Sequence, residues 1–231
     1  MKYKLTAFVL ACSVVTASHA FGLGDLTGSK PSATAGADVG TQVETFNKTA
    51  GLISQAMTFA LNQIIVALGT KEQIAIAKAN AEGLLKVTDP GERNSQAGKS
   101  LVTGVGLLTQ TMAESSAKEK MANLSPEMKK QVAASMFAVG VSALQIPGAM
   151  DLGKQIMSSA SANPMNLSKV LPVKTGLSTF ADILPTLPAL VKNGSAMMRE
   201  AKIEAPDPTF SAKIGPSTDQ QSADLFKAIE H

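Results

Sequence analysis

The chain contains very few of the side chains that enzymes use most often. In 231 residues it has one cysteine, one tyrosine, two histidines and no tryptophan. Cys12, Tyr3 and His19 all lie within the first twenty residues, so the chain from Phe21 onward keeps only His231 of this set. Thiol chemistry and disulfide bonds are therefore excluded from that part, and a zinc site built on cysteine or histidine is not expected there. The sequence predicts a protein that is not an enzyme.

The first twenty residues have the three parts of a secretory signal peptide. A basic start, Lys2 to Lys4, precedes a mostly apolar segment, 5–15, and Ser18-His19-Ala20 is a small-x-small cleavage site. We predict cleavage after Ala20 and a periplasmic or secreted protein. The alternative is an outer-membrane lipoprotein, because the residues before Cys12 loosely resemble a lipid-attachment box, although the apolar segment in front of that cysteine is short.

The balance of charge gives no support for a nucleic-acid partner. The two lysines of the leader leave with it, so 19 basic and 18 acidic residues remain after Ala20. Only Arg93 and Arg199 are arginines, and no basic cluster is interleaved with aromatic residues. Nucleic-acid binding needs clustered positive charge and, for single strands, aromatic stacking platforms. We therefore expect no nucleic-acid partner.

Composition and apolar periodicity divide the chain into four segments. Residues 1–20 are the leader, and 21–40 are rich in glycine, serine, alanine and threonine, which predicts a flexible lead-in. Residues 41–203 form the helical domain, because good helix formers dominate and no alternating strand pattern occurs. Residues 204–231 form a tail that ends in a short amphipathic helix with Leu225, Phe226 and Ile229 on one face.

The predicted fold class is an all-α helical bundle of about five to eight helices with flexible N- and C-terminal segments. Start and stop signals predict the helices 41–68, 70–86, 95–123, 126–146, 149–162 and 188–202, with short helices in the proline-interrupted part before the last one. The boundary near 147 rests on Pro147-Gly148, a pair that commonly ends a helix. In the first helix, apolar residues recur at spacings of three and four from Val43 to Ala67, which predicts one long buried stripe.

Two long segments contain no charged residue at all. These are 49–70 and 131–150, and each is long enough to cross a bilayer. The first, however, carries a stripe of serine, threonine and amide side chains, which is costly against lipid. We expect both segments to form the core of a bundle, and contact with a membrane is the alternative.

Three short strings could carry serine chemistry. Ser115-Ser116-Ala117-Lys118, Ser161-Ala162-Asn163 and Lys174-Thr175-Gly176 match, in order, the S-x-x-K, S-x-N and K-T-G signatures of penicillin-binding proteins and serine β-lactamases. That chemistry needs the third string on a strand of a sheet, and no strand is predicted here. The ten residues between the second and third strings are also too few for the intervening fold. We interpret the match as coincidence.

No metal or cofactor site is predicted. A calcium loop needs clustered aspartate and asparagine, and a phosphate loop needs a glycine run that ends in Gly-Lys-Ser; neither pattern occurs. Asp151 and Asp182 are single acids in apolar surroundings, for which surface exposure or helix capping is expected. The cofactor prediction is accordingly none.

The many methionines indicate a deformable apolar site. Ten of the eleven methionines follow Ala20, and methionine adapts to irregular partners. The leading hypothesis is an exported, non-catalytic helical binding protein whose groove takes a lipid-like apolar ligand or an amphipathic helical partner. The predicted groove residues are Met57, Phe59, Ile64, Met136 and Phe137. The alternatives are a membrane-active protein that inserts its uncharged helices, and a hydrolase of the serine–lysine type.

Overall fold

The protein is helical throughout the part of the chain that the structure describes. The computed structural model describes residues 39–161, 168–205, 208–209 and 219–227, and no strand occurs among them. Their eight helices are α1 Val39–Leu68, α2 Lys71–Lys86, α3 Pro90–Ala113, α4 Ser115–Ala122, α5 Pro126–Ser161, α6 Leu171–Ile183, α7 Leu187–Glu200 and α8 Asp219–Lys227. The predicted all-α helical bundle is therefore confirmed. The leader and most of the predicted lead-in lie outside the described residues, so those boundaries stay predictions.

The two longest helices, α1 and α5, form the centre of the bundle and run antiparallel. Near one end of the pair the ring of Phe46 lies against Gly153, and toward the other end Ser135 Oγ donates a hydrogen bond to Gln63 Oε1 at 2.6 Å. A β-carbon at Gly153 would stand 2.8 Å from the Phe46 ring, so glycine is what lets the two helices approach there. The remaining helices pack around this pair, with α3 on α1, and α7 on α5.

The junction of α1 with α2 is fixed by polar groups. Thr70 caps α2, because its Oγ1 accepts the Gln73 backbone N–H and its own N–H donates to Gln73 Oε1, a capping box. The amide of Gln73 also donates to Glu114 Oε1 at 2.9 Å. Lys120 donates to the carbonyls of Leu68 and of the following glycine at the end of α1. These bonds join the ends of α1, α2, α3 and α4.

The first turn of α2 also lowers the pKa of one acidic side chain, Glu72. Glu72 lies beside the positive end of that helix, and its own backbone N–H and the Thr70 side chain both hydrogen-bond to its carboxylate. These bonds favour the charged form, so the pKa of Glu72 is lowered from its ordinary value. The side chain is exposed to solvent, and this shift belongs to helix capping rather than to a buried site.

The helix predicted over 95–123 is wrong in two respects. The structure begins α3 earlier, at Pro90, because the Asp89 side chain caps it by accepting the Glu92 backbone N–H at 2.8 Å. It also breaks the segment at Glu114, whose backbone is extended and whose side chain is bonded to Gln73 on α2. The hydrogen bond between Glu114 and α2 depends on tertiary packing, so the local sequence around Glu114 does not predict the break.

The predicted helix end at Pro147 is also wrong. The structure has one helix of 36 residues, α5, that passes through this proline and includes the helix predicted to start at 149. Ile146 and Ala149 are both fully buried on either side of the exposed proline. Burial of this continuous apolar face against α1 outweighs the hydrogen bond that proline removes.

The other helix predictions are confirmed. The predicted helices 41–68, 70–86 and 188–202 correspond to α1, α2 and α7, with ends that differ by one or two residues. In the proline-interrupted part the structure has α6, followed by a short turn into α7, as the prediction of short helices required. Pro172 and Pro188 each lie in the first turn of a helix, where the missing N–H costs nothing.

Candidate functional site

The structure brings three of the five predicted groove residues together, but inside the core. Met57 and Ile64 are completely buried, Met136 is 3% exposed, and all three belong to one apolar cluster. Met136 lies against Gly194 of α7. Phe59 and Phe137 are half-buried and lie outside that cluster. The hypothesis that these five residues line one groove stays a prediction.

A groove is present elsewhere, between α1 and α2, and the C-terminal helix α8 lies in it. α8 packs against both of these helices. Its Phe226 is completely buried, its Ser222 is 5% exposed, and its Leu225 is half-buried, whereas Gln221 and Asp224 face solvent. Residues 222 and 226 are four apart and share one face of the helix. This segment is the amphipathic helix predicted from Leu225, Phe226 and Ile229, of which Ile229 lies outside the described residues.

A small cavity lies between α8 and the floor of this groove. We call this space the α8 cavity. Its volume is about 10 Å³, which is room for about one water molecule. The polar side chains that line it come from four helices, and they belong to Thr58, Asn62, Asn80, Ser100 and Ser222. Apolar residues of α2 and α3 complete the wall, and they are Ala77, Ala81, Leu84, Gly104 and Leu107.

One hydroxyl of the α8 cavity lacks a partner. Ser100 is 5% exposed, and its Oγ is fully buried with no hydrogen-bond partner among the described residues. Asn62, on the neighbouring α1, is 4% exposed. A buried polar group without a partner costs about 1–3 kcal/mol. The floor of the groove therefore offers hydrogen-bonding capacity that the folded chain leaves unused.

The α8 cavity is lined by hydroxyl, amide and apolar groups. None of its ten lining residues is ionisable. The cavity can therefore form hydrogen bonds through hydroxyl and amide groups inside an apolar frame.

The lysine of the first string is paired with a residue of another helix. Ser115 is exposed at the start of α4, and Lys118 is held by Glu200 of α7, with Nζ 2.9 Å from a carboxylate oxygen. The third string, from Lys174, lies on helix α6 instead of a strand. Asn163 of the second string lies outside the described residues. The described parts of the three strings do not form the geometry that serine–lysine hydrolysis requires.

The acids singled out in the sequence lie at the surface. Asp182 is exposed, and Asp151 is exposed and 3.6 Å from the Lys154 ammonium group on the same helix. Among the described residues, no group of three acidic, histidine or cysteine side chains is placed to hold a metal ion.

Only some of the residues that form the α8 cavity could be recognised from the sequence. The amphipathic face of α8 and the polar stripe of α1, which includes Thr58 and Asn62, are both visible in the sequence. Nothing in the sequence distinguishes Ser100 or Asn80 from other polar residues on helices, because their positions in the wall depend on how α2 and α3 pack against α1.

Two described helices could cross a membrane by length and composition alone. These are α1 and α5, and in the most apolar part of each, 50% and 61% of the residues are buried inside the protein. The core helices of globular proteins pass the same test, so this property by itself assigns no membrane role.

Comparisons with protein-family models, with curated proteins and with solved structures find no match to this chain, so its function has to be inferred from these residues and their geometry.

Proposed function

We propose that this chain is an exported, non-catalytic binding protein that takes an amphipathic helix of a partner into the groove between α1 and α2. The observation that carries the proposal is the seating of α8, which buries Phe226 completely in that groove. Binding of a helix by anchors four residues apart is a recurrent mode of recognition. In this structure the chain's own C-terminal helix is the occupant, and the partner helix competes with it.

The contacts of α8 define the chemistry of the partner. Burial of one phenylalanine stabilises by about 1.5–3 kcal/mol, enough for an anchor but too little to hold a helix permanently. A covalently attached helix is present at an effective concentration on the order of millimolar. A partner helix with an aromatic anchor and a small polar residue four positions earlier fits the same groove. It displaces α8 when its affinity and concentration are high enough to outweigh the effective concentration of the attached α8.

A helix suits this site better than a lipid-like ligand. The α8 cavity is close to the size of one water molecule, and polar side chains line it. The methionines expected to line a lipid site, Met57 and Met136, are packed in the core. A lipid chain would require that core to open.

The experiment measures binding of a fluorescein-labelled peptide of residues 217–231 to the full chain. Phe226→Asp should release the chain's own α8, because a buried carboxylate would have no partner there. We expect saturable binding of the peptide to this variant by fluorescence anisotropy, and binding at least tenfold weaker to the wild type, whose groove is occupied. Circular dichroism should show that the Phe226→Asp chain keeps helices α1 to α7.

A matched pair of alanines on α2 provides the control. Ala81 lines the groove, whereas Ala79 is exposed on the same helix. In the Phe226→Asp background, Ala81→Phe should block the peptide and Ala79→Phe should leave its affinity unchanged. Absence of binding to the Phe226→Asp chain, or equal effects of the two alanine variants, would show that the groove is not a helix site.

Export is part of the proposal and has its own test. The tripartite leader supports cleavage after Ala20. N-terminal sequencing of the mature protein should begin at Phe21. A lipidated Cys12 at the mature N-terminus would instead make the protein membrane-anchored.

A second candidate function is insertion of α1 and α5 into a membrane. Both helices are long and apolar enough to span a bilayer, and they already form an antiparallel pair. Two exposed leucines, Leu52 and Leu144, add apolar surface to these helices at 38% and 42% exposure. This candidate ranks second because half or more of each apolar segment is buried against the rest of the protein.

A further inference from the structure

The floor of the groove is polar but carries no charge. Five of the residues that line the α8 cavity have hydroxyl or amide side chains, and no lysine, arginine, aspartate or glutamate reaches it. A buried hydroxyl or amide is stable when it is hydrogen-bonded, whereas a charge buried without a counter-charge is costly. The lining therefore suits a neutral hydrogen-bonding group and disfavours an ionised one.

The Ser100 hydroxyl on this floor has no hydrogen-bond partner in the described part of the folded chain. Two buried hydroxyls in the described residues have no hydrogen-bond partner, and they belong to Ser100 and Ser142. Ser100 lines the α8 cavity together with Ser222 of α8, and Ser142 does not line this cavity. A side chain at the Ser222 position that reached across the cavity would give the Ser100 hydroxyl the partner it lacks.

We propose that the α8 cavity is a selectivity site, which accepts one neutral amide or hydroxyl side chain from the bound helix and rejects an ionised one. The proposal rests on the helix-binding function above and specifies which helices the groove prefers. Replacement of serine by asparagine adds about the volume of one water molecule, which is the space that the cavity offers. The preferred partner helix carries asparagine or another neutral polar residue four positions before its aromatic anchor.

The test uses three labelled peptides of residues 217–231 and the full chain with Phe226→Asp, whose groove is free. The peptides carry the natural Ser222, Ser222→Asn or Ser222→Asp. Asparagine and aspartate have nearly the same shape and differ in charge, so the pair isolates the effect of charge. We expect the asparagine peptide to bind about threefold to tenfold tighter than the serine peptide, the gain typical of one buried hydrogen bond. The aspartate peptide should bind at least tenfold more weakly than the asparagine peptide.

Two serine variants of the chain test whether the Ser100 hydroxyl is the group that favours the asparagine peptide. Ser100→Ala removes the unpaired hydroxyl of the cavity, and Ser142→Ala removes the other unpaired hydroxyl, which does not line it. In the Phe226→Asp chain, Ser100→Ala should abolish most of the advantage of the asparagine peptide over the serine peptide. Ser142→Ala should leave that ratio unchanged.

The outcomes separate this inference from the function on which it rests. Equal affinity of the asparagine and aspartate peptides would overturn the selectivity site and leave the helix-binding groove intact. An asparagine advantage that survives Ser100→Ala would overturn the role of the Ser100 hydroxyl. Failure of all three peptides to bind the Phe226→Asp chain would overturn the proposed function itself.

Discussion

At the scale of single residues, some glycines lie where helices approach closely and others do not. A β-carbon at Gly98 of α3 would overlap the Thr179 side chain of α6, and one at Gly153 of α5 would meet the Phe46 ring. Gly106, also on α3, faces open space. These glycines look equivalent in the sequence, and their opposite surroundings appear only when the packing of α3 is known.

We predict opposite effects of alanine at Gly98 and Gly106. Gly98→Ala should lower the free energy of unfolding by about 1–3 kcal/mol, because Thr179 is short, branched and unable to move aside. Gly106→Ala should raise it by about 0.5–1 kcal/mol, because alanine restricts the unfolded chain and nothing obstructs its methyl group. Urea denaturation followed by circular dichroism measures both. Destabilisation by Gly106→Ala would show that this face of α3 has a partner.

Ser115 gives a second prediction at this scale. The Ser115→Ala variant should keep the helix-binding activity of the chain, because Ser115 is exposed and Lys118 is paired with Glu200. Intact-mass measurement after incubation with a β-lactam should show no adduct on either protein. A covalent adduct on the wild type that Ser115→Ala abolishes would establish the serine–lysine hydrolase.

The burial of the apolar residues of α1 was largely predictable from the sequence. The surroundings of the polar residues in the bundle were not. The stripe predicted from Val43 to Ala67 is buried through Ile64 and half-buried at Ala67, because burial of a helical face depends mainly on spacing. Whether a serine such as Ser100 is exposed, bonded or left without a partner depends on three neighbouring helices. The α8 cavity is lined by such polar residues, so the sequence alone did not single it out.

At the scale of helices, local signals predicted where most of them begin, and tertiary packing decided where two of them end. The threonine cap of α2 and the proline at the start of α7 are local, and their helices were predicted within two residues. The break at Glu114 and the continuation through Pro147 both depend on other helices. Glu114 is bonded to α2, and the turns around Pro147 are buried against the core.

Pro147 offers a test of whether tertiary packing outweighs the local cost of proline inside a helix. Pro147→Ala should raise the free energy of unfolding by about 1–3 kcal/mol, because it restores a backbone N–H donor to the interior of α5. Pro188 is the control, since it lies in the first turn of α7, where no hydrogen bond is missing; Pro188→Ala should change stability by less than about 1 kcal/mol. Lower stability of Pro147→Ala would show that the backbone geometry imposed by proline helps α5 to pack.

At the scale of the whole molecule, the question is whether α1 and α5 ever leave the bundle. Their antiparallel pairing and their uncharged segments suit either a core or a membrane hairpin. The structure offers two positions on α1 that distinguish these roles. Ile64 is completely buried, whereas Leu52 is 38% exposed on the same helix.

Lysine at these two positions separates the binding protein from the membrane-inserting one. Ile64→Lys should unfold the domain, because an unpaired buried charge costs several kcal/mol and the total stability of a domain is about 5–15 kcal/mol. Leu52→Lys should stay folded, because its ammonium group reaches water. Helicity in buffer and dye release from anionic liposomes are measured for both variants and the wild type. A binding protein releases no dye in any form. Release by the wild type that Leu52→Lys abolishes without loss of helicity would establish insertion of α1, because Leu52 lies in the uncharged segment 49–70 and a charge added there opposes insertion while leaving the water-soluble fold intact.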